Sequence, residues 1–128
     1  MVPLQKKKPA LVNFLSKVKE RYPEMYLLQN AGVFIIEDTH RYIDGIAIES
    51  VATNYNFTTH NYRLRNKKEF EEQVQHLKAI EEEYDVPIIL IEYADTHRLR
   101  DKVLDRIKPS GWSYFIGQIK LQKIPVFN

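Results

Sequence analysis

The 128-residue chain contains no cysteine, which excludes a disulfide scaffold and any thiolate-held metal or iron–sulfur site. Glycine is scarce at four residues, and no GxGxxG, P-loop or nucleophile-elbow pattern occurs. Those absences argue against nucleotide binding and against serine hydrolysis. No apolar run approaches the roughly 20 residues that a membrane span requires. The first twelve residues, MVPLQKKKPALV, lack the apolar core of a signal peptide, and cysteine absence alone fixes no compartment. Charge is nearly balanced, with 19 Lys and Arg against 17 Asp and Glu and a net charge of +2. Bulk electrostatics therefore give no case for a nucleic-acid partner. The four histidines are dispersed, none pairs with another at metal-ligand spacing, and no metal or cofactor is expected.

What is present reads as one globular domain over residues 1–128. Apolar residues make up 44%, charged residues 28% and aromatics 12%, a composition that buries a core and excludes disorder as a description of the whole. The basic run Lys6-Lys7-Lys8 lies in a stretch, 1–9, expected to be a flexible, solvated arm. Leu11, Phe14, Leu15 and Val18 follow at i, i+3, i+4 and i+7, which predicts an amphipathic helix from Pro9 to Tyr22. A short strand is expected over Glu24–Asn30, a brief helix or turn over GVFIIED, and a buried strand over YIDGIAIES. Val51–Arg65, polar and aromatic without a clear period, is expected to be a long loop.

Asn66 with Glu69 three residues on makes a capping-box-like start for the next helix. Phe70, Val74, Leu77, Ile80 and Tyr84 mark its buried face. VPIILIEYA is a third strand, four aliphatics without polar alternation. Leu99, Val103 and Ile107 predict another helix, which Pro109 and Gly111 end before a fourth strand in WSYFIGQI. The tail KIPVFN is expected to be a short strand or a docked end. Strands that alternate with helices and run continuously aliphatic indicate a parallel sheet covered by helices. Four such β/α units amount to half of a (β/α)8 barrel, and an open doubly wound sheet fits the same pattern.

In parallel α/β folds, ligand chemistry gathers at the carboxyl ends of the strands. Those ends deliver Asn30, Glu49 and Glu92, a set expected to share one rim. Paired carboxyl groups in a cleft suit glycoside hydrolysis, in which one acid protonates the leaving oxygen and the other attacks or activates water. Tyr55, Tyr62 and Tyr93 are aromatic candidates for sugar contacts. His60, in the expected loop, is the one histidine that counts as a site candidate; His76 should be solvated.

Three stretches, RYPEMYLLQNAG, YIDGIAIES and VPIILIEYAD, together resemble successive blocks of the endo-α-1,4-polygalactosaminidase-like glycoside hydrolases, over residues 10 to 120. That family consists of (β/α)8 barrels, usually secreted or surface-bound, acting on galactosamine-containing polysaccharides. The resemblance implies that Glu49 is a catalytic carboxylate and that Asn30 contacts substrate or orients the acid. It sets Glu92 where the family usually has Asp, in EYA instead of DYA, with Tyr93 and Ala94 kept. Glu92 is thus the second catalytic candidate beside Glu49, and Tyr55 and Tyr93 join Asn30 as the substrate-binding candidates. The chain corresponds to the C-terminal half of that barrel. A second carboxylate, carried by the family's first half, has no counterpart in it. Half a barrel leaves two strand edges and an inner face uncovered, so either self-association or a missing N-terminal half is expected to cover them.

Overall fold

The computed structural model describes residues 4–128. Its elements run α1 (Leu4–Arg21), β1 (Leu28–Asn30), a short α2 (Ile36–Thr39) between two 3-10 turns, β2 (Gly45–Glu49), β3 (Thr53–Asn56), β4 (Asn61–Leu64), α3 (Lys67–Tyr84), β5 (Ile88–Tyr93), α4 (His97–Ile107) and β6 (Ser113–Gly117). Strands β1, β2, β5 and β6 form one parallel sheet in that order. Each strand is thus joined to its sequence neighbour by a helical crossover, the repeating unit of a (β/α) barrel. Four consecutive units are present, as expected for half of one.

Helix α3 starts where its capping residue dictates. The Asn66 side chain accepts from the Lys68 and Glu69 amides, and Asp85 closes the other end in a left-handed turn with φ 53°, a conformation that Asp tolerates better than most residues. The face of α3 bearing Phe70, Leu77 and Ile80 packs with Val103 and Ile107 of α4 and with Ile46, Ile88, Leu90 and Ile116 of the sheet. These strand residues alternate with others that point the opposite way. The core therefore lies between the helices and one face of the sheet only.

Three local expectations change. The stretch 51–65 is not a loop: β3 and β4 pair antiparallel, with Tyr55 opposite Tyr62, in a hairpin whose turn includes His60 at φ 58°. Its aromatic and β-branched pairs suit a strand ribbon more than its polar composition suggests. The first strand is shorter than expected, because Asp44 ties 25–27 into a loop: its carboxylate takes the Leu27 amide at 2.7 Å and Lys19 at 2.7 Å. Finally, residues 1–3 of the expected arm lie outside the described residues, while 4–9 belong to α1, and Lys8 reaches Asp38 at 3.1 Å. The tail docks without forming a strand: Asn128 exchanges backbone hydrogen bonds with Asp95 and His97.

Candidate functional site

The sheet register decides which side chains share a face. Glu49 lies opposite Ile91, and Asn30 opposite Ala47. Side chains of aligned residues in neighbouring strands point the same way, and a one-residue shift reverses them. Asn30, Ala47, Glu49, Ile91 and Tyr93 therefore point away from the helices, together with Phe115 and Gly117 of β6, which pair with Ile91 and Tyr93. Glu92 falls between Ile91 and Tyr93 and points to the helical side.

Glu49 is exposed at the end of β2, the second of four strands. Ser50 follows at φ 58°, a left-handed conformation uncommon for a side chain with a Cβ. Two anchors hold that turn. The Ser50 amide donates to the Ile91 carbonyl at 2.9 Å, and the Arg65 guanidinium donates to the Ser50 carbonyl at 3.0 and 3.2 Å. Glu49 thus sits on a rigid strand, and the chain beyond it is bent sharply off the rim.

Tyr93, two residues beyond the partner of Glu49, is 3% exposed. Burial pushes its phenol up to about 12, and the Glu49 charge and hydrogen bonding to the Glu49 carboxylate add to the rise. The Tyr93 phenol and the Glu49 carboxylate are thus neighbours on the open face of the sheet. Asn30 ends β1 exposed on the same face. The chain turns away after it through Ala31 and Gly32, both with positive φ. At the far end of the face, Pro125 from the tail packs within van der Waals reach of Gly117.

Glu92, the other candidate acid, does not share the face of Glu49. It is fully buried, and both of its oxygens are occupied. Oε1 accepts from the Val51 and Ala52 amides at 2.9 Å each. Oε2 accepts from the Thr53 amide at 3.0 Å and the Thr53 hydroxyl at 2.6 Å. Burial pushes the carboxyl above its usual range, while the Thr53 hydroxyl and the three amides pull the other way. The Thr53 hydroxyl also accepts from the Tyr93 amide at 3.1 Å. Glu92 therefore clamps the segment after Glu49 onto β5. The strand period turns its side chain to the helical side, off the face that carries Glu49.

Tyr55 lies in the hairpin, not on the sheet. Its ring packs against Tyr62 at 4.7 Å and edge-on against Phe57 at 4.8 Å, and its hydroxyl shares a 3.0 Å hydrogen bond with His60 Nδ1. Tyr62 accepts from the Ile119 amide at 3.1 Å, which ties the hairpin to the segment after β6. The hairpin is thus a small aromatic cluster that rises after Glu49, with Phe57 72% exposed at its turn. His76 is solvated on α3. Arg65 and Thr53, which organise the rim, carry no motif and are visible only once the hairpin forms. No group of three metal-ligating side chains occurs among the described residues.

The fold is a parallel β/α half-barrel with one exposed carboxylate at the carboxyl end of an inner strand. No family model matches the chain, and no curated protein matches it. Among solved structures, the glycoside hydrolase domain of PelA from Pseudomonas aeruginosa is similar, with a TM-score of 0.75 and 22% identity over 95% of this chain and 49% of that one. A single-residue variant of the same domain is similar with a TM-score of 0.74, at the same identity and coverage. The likeness shows the fold, a parallel β/α half-barrel, and the chain spans about half the length of the domain it matches.

Proposed function

We propose that this chain is a glycoside hydrolase half-domain acting on an amino-sugar polysaccharide of the galactosamine type, with Glu49 as its catalytic carboxylate. The observation that carries the reading is the position of Glu49: exposed at the carboxyl end of β2, on the face away from the helices, and beside the Tyr93 phenol. The likeness to a glycoside hydrolase domain and the sequence blocks around Asn30, Glu49 and Tyr93 support it. Asn30 and Tyr93 flank the acid on the substrate side. Tyr55, held by His60 and Tyr62, offers a ring at the hairpin for a more distant sugar. In hydrolysis Glu49 acts as nucleophile, as general base on water or as proton donor, and a second carboxyl group takes the complementary part.

The test is release of reducing ends from a galactosamine-containing polymer. Glu49→Gln should abolish release and leave the circular dichroism spectrum unchanged; turnover equal to wild type would remove Glu49 from the chemistry. A second reading rests on the burial of Glu92, which leaves Glu49 without Glu92 as a partner on the open face of the sheet. It describes a saccharide-binding half-barrel without catalysis, for which the polymer binds, no product forms, and binding survives Glu49→Gln.

A further inference from the structure

Between helices α3 and α4, behind the sheet as seen from Glu49, lies an open groove of about 270 Å³. Phe70 and Val74 of α3, Ile107 at the end of α4 and Trp112 before β6 wall it, with Leu90 of β5 beneath them. Leu90 pairs with Ile48, one residue before Glu49, so its side chain points to the helical side and the sheet separates this groove from the proposed glycan face. The hydrolase reading makes no use of it.

Two observations on its walls point to a ligand. The first is Trp112, the only tryptophan of the chain and 8% exposed. Its indole Nε1–H is sealed from solvent and is the one buried side-chain polar atom among the described residues with no hydrogen-bond partner. A buried donor left unpaired is a standing cost that an acceptor relieves. The hydroxyl on the same wall cannot serve. Ser110 Oγ already donates to the Ile107 carbonyl at 2.6 Å and accepts from the Trp112 amide at 3.2 Å.

The second observation is the charge. Lys78 and Arg106 line the groove, and among the described residues neither pairs with a carboxylate. Arg106 gives one N–H to the Arg65 carbonyl and lies 5.5 Å over the Phe70 ring, which fixes the guanidinium at the groove and leaves its other donors free of the protein. The lining has a single acid, Glu71, and Lys67 holds it at 3.8 Å. The groove is thus apolar in body, rich in donors and short of acceptors.

We propose that this groove binds a small aromatic carboxylate. The ring of the ligand packs against Phe70 and Trp112, where aromatic pairs gain beyond the area they bury. Its carboxylate is drawn by Lys78 and Arg106, and a slight turn of the indole into the groove lets one carboxylate oxygen take the Trp112 Nε1–H. Two oxygens with about four lone-pair sites suit a guanidinium, an ammonium and one N–H. The ligand is small, because the volume lies just below the range of about 300–1,000 Å³ that drug-sized molecules occupy. A cation would meet Lys78 and Arg106 and leave the indole unpaired.

With one tryptophan in the chain, a single indole N–H resonance in the nitrogen-15 spectrum reports on the groove. Phenylacetate, the probe, should move that proton downfield along a saturable curve, and added salt should weaken its binding. The uncharged 2-phenylethanol should bind about fivefold more weakly, and 2-phenylethylamine should leave the resonance in place. Lys78→Glu, on the exposed side of α3, should weaken phenylacetate about tenfold, since it removes one attraction and adds a repulsion. Trp112→Phe keeps a ring and loses the donor, and calorimetry should show a similar loss. If that variant fails to fold, Lys78→Glu and the three probes decide alone. The absence of a saturable shift overturns the proposal, as does an amine or alcohol that binds as well as the acid. Wild-type affinity in Lys78→Glu overturns it also. An indole shift that follows protein concentration and ignores the probes gives the groove to a second copy of the chain and overturns the small-molecule site.

Discussion

The Thr53 hydroxyl donates a 2.6 Å hydrogen bond to the Glu92 carboxylate and accepts one from the amide of Tyr93, so a single side chain joins the buried anchor to the residue beside Glu49. Adjacent residues of β5 therefore do opposite work. Glu92 faces the helices and holds the segment 51–53, which fixes where β2 ends. Tyr93 faces the open side and meets the acid that β2 carries.

If Glu92 is an anchor, its loss registers as stability. In Glu92→Gln the amide oxygen can still accept from Val51 and Ala52, but the amide nitrogen leaves the Thr53 backbone donor unpaired inside the core. One orphaned buried donor costs about 1–3 kcal/mol. Urea unfolding should show a loss of that size, with residual hydrolysis in the fraction that remains folded. Full stability with abolished hydrolysis would return Glu92 to the chemistry.

The element order and the cap of α3 were legible in the sequence because each follows a local rule: Asn66 with Glu69 three residues on, aliphatic runs for β2 and β5, and Pro109 with Gly111 after α4. Glu49 was legible as a strand-end acid. The orientation of Glu92 was not, since which way a strand-end residue points depends on pairing register, and the register of β5 against β2 is a long-range property. The hairpin was missed for a related reason: its strands are short and polar, and they form because Tyr55 and Tyr62 pack across them. Helix α1 met its periodicity, yet Leu11 and Phe14 remain 40% and 61% exposed, because which face of a helix is buried depends on what packs against it and not on its period alone.

Asp44 should govern part of the acid limb of stability. Hydrogen bonding from Lys19 and from the Leu27 amide, joined by the Lys19 charge, holds its carboxyl below 3.8 against an opposing effect of burial. The folded state therefore keeps the carboxylate ionised where the unfolded chain has begun to take up a proton. That contribution is complete above about pH 4 and is lost as pH falls through the lower folded value. Asp44→Asn should be less stable than wild type at neutral pH, and the difference should shrink as the solution is acidified. Urea midpoints measured from pH 7 to pH 2 decide it: a gap that stays constant would mean that Asp44 acts by shape alone.

Tyr93 reports directly on Glu49. Burial is the largest cause of its rise to about 12, followed by the Glu49 charge and hydrogen bonding to it. Glu49→Gln removes the charge and leaves the burial, so the phenol midpoint should fall yet stay above its ordinary value of 10.0. Carbon-13 labelling of tyrosine Cζ, with Tyr93→Phe to assign the resonance, measures both midpoints. The same shift fixes a sign for stability. A folded-state value above the unfolded one favours the neutral phenol, so that contribution is present below about pH 10 and is lost as pH rises toward 12. Tyr93→Phe should accordingly flatten the alkaline limb. An unchanged Tyr93 midpoint in Glu49→Gln would separate the two groups, and the phenol would then have no part in orienting the acid.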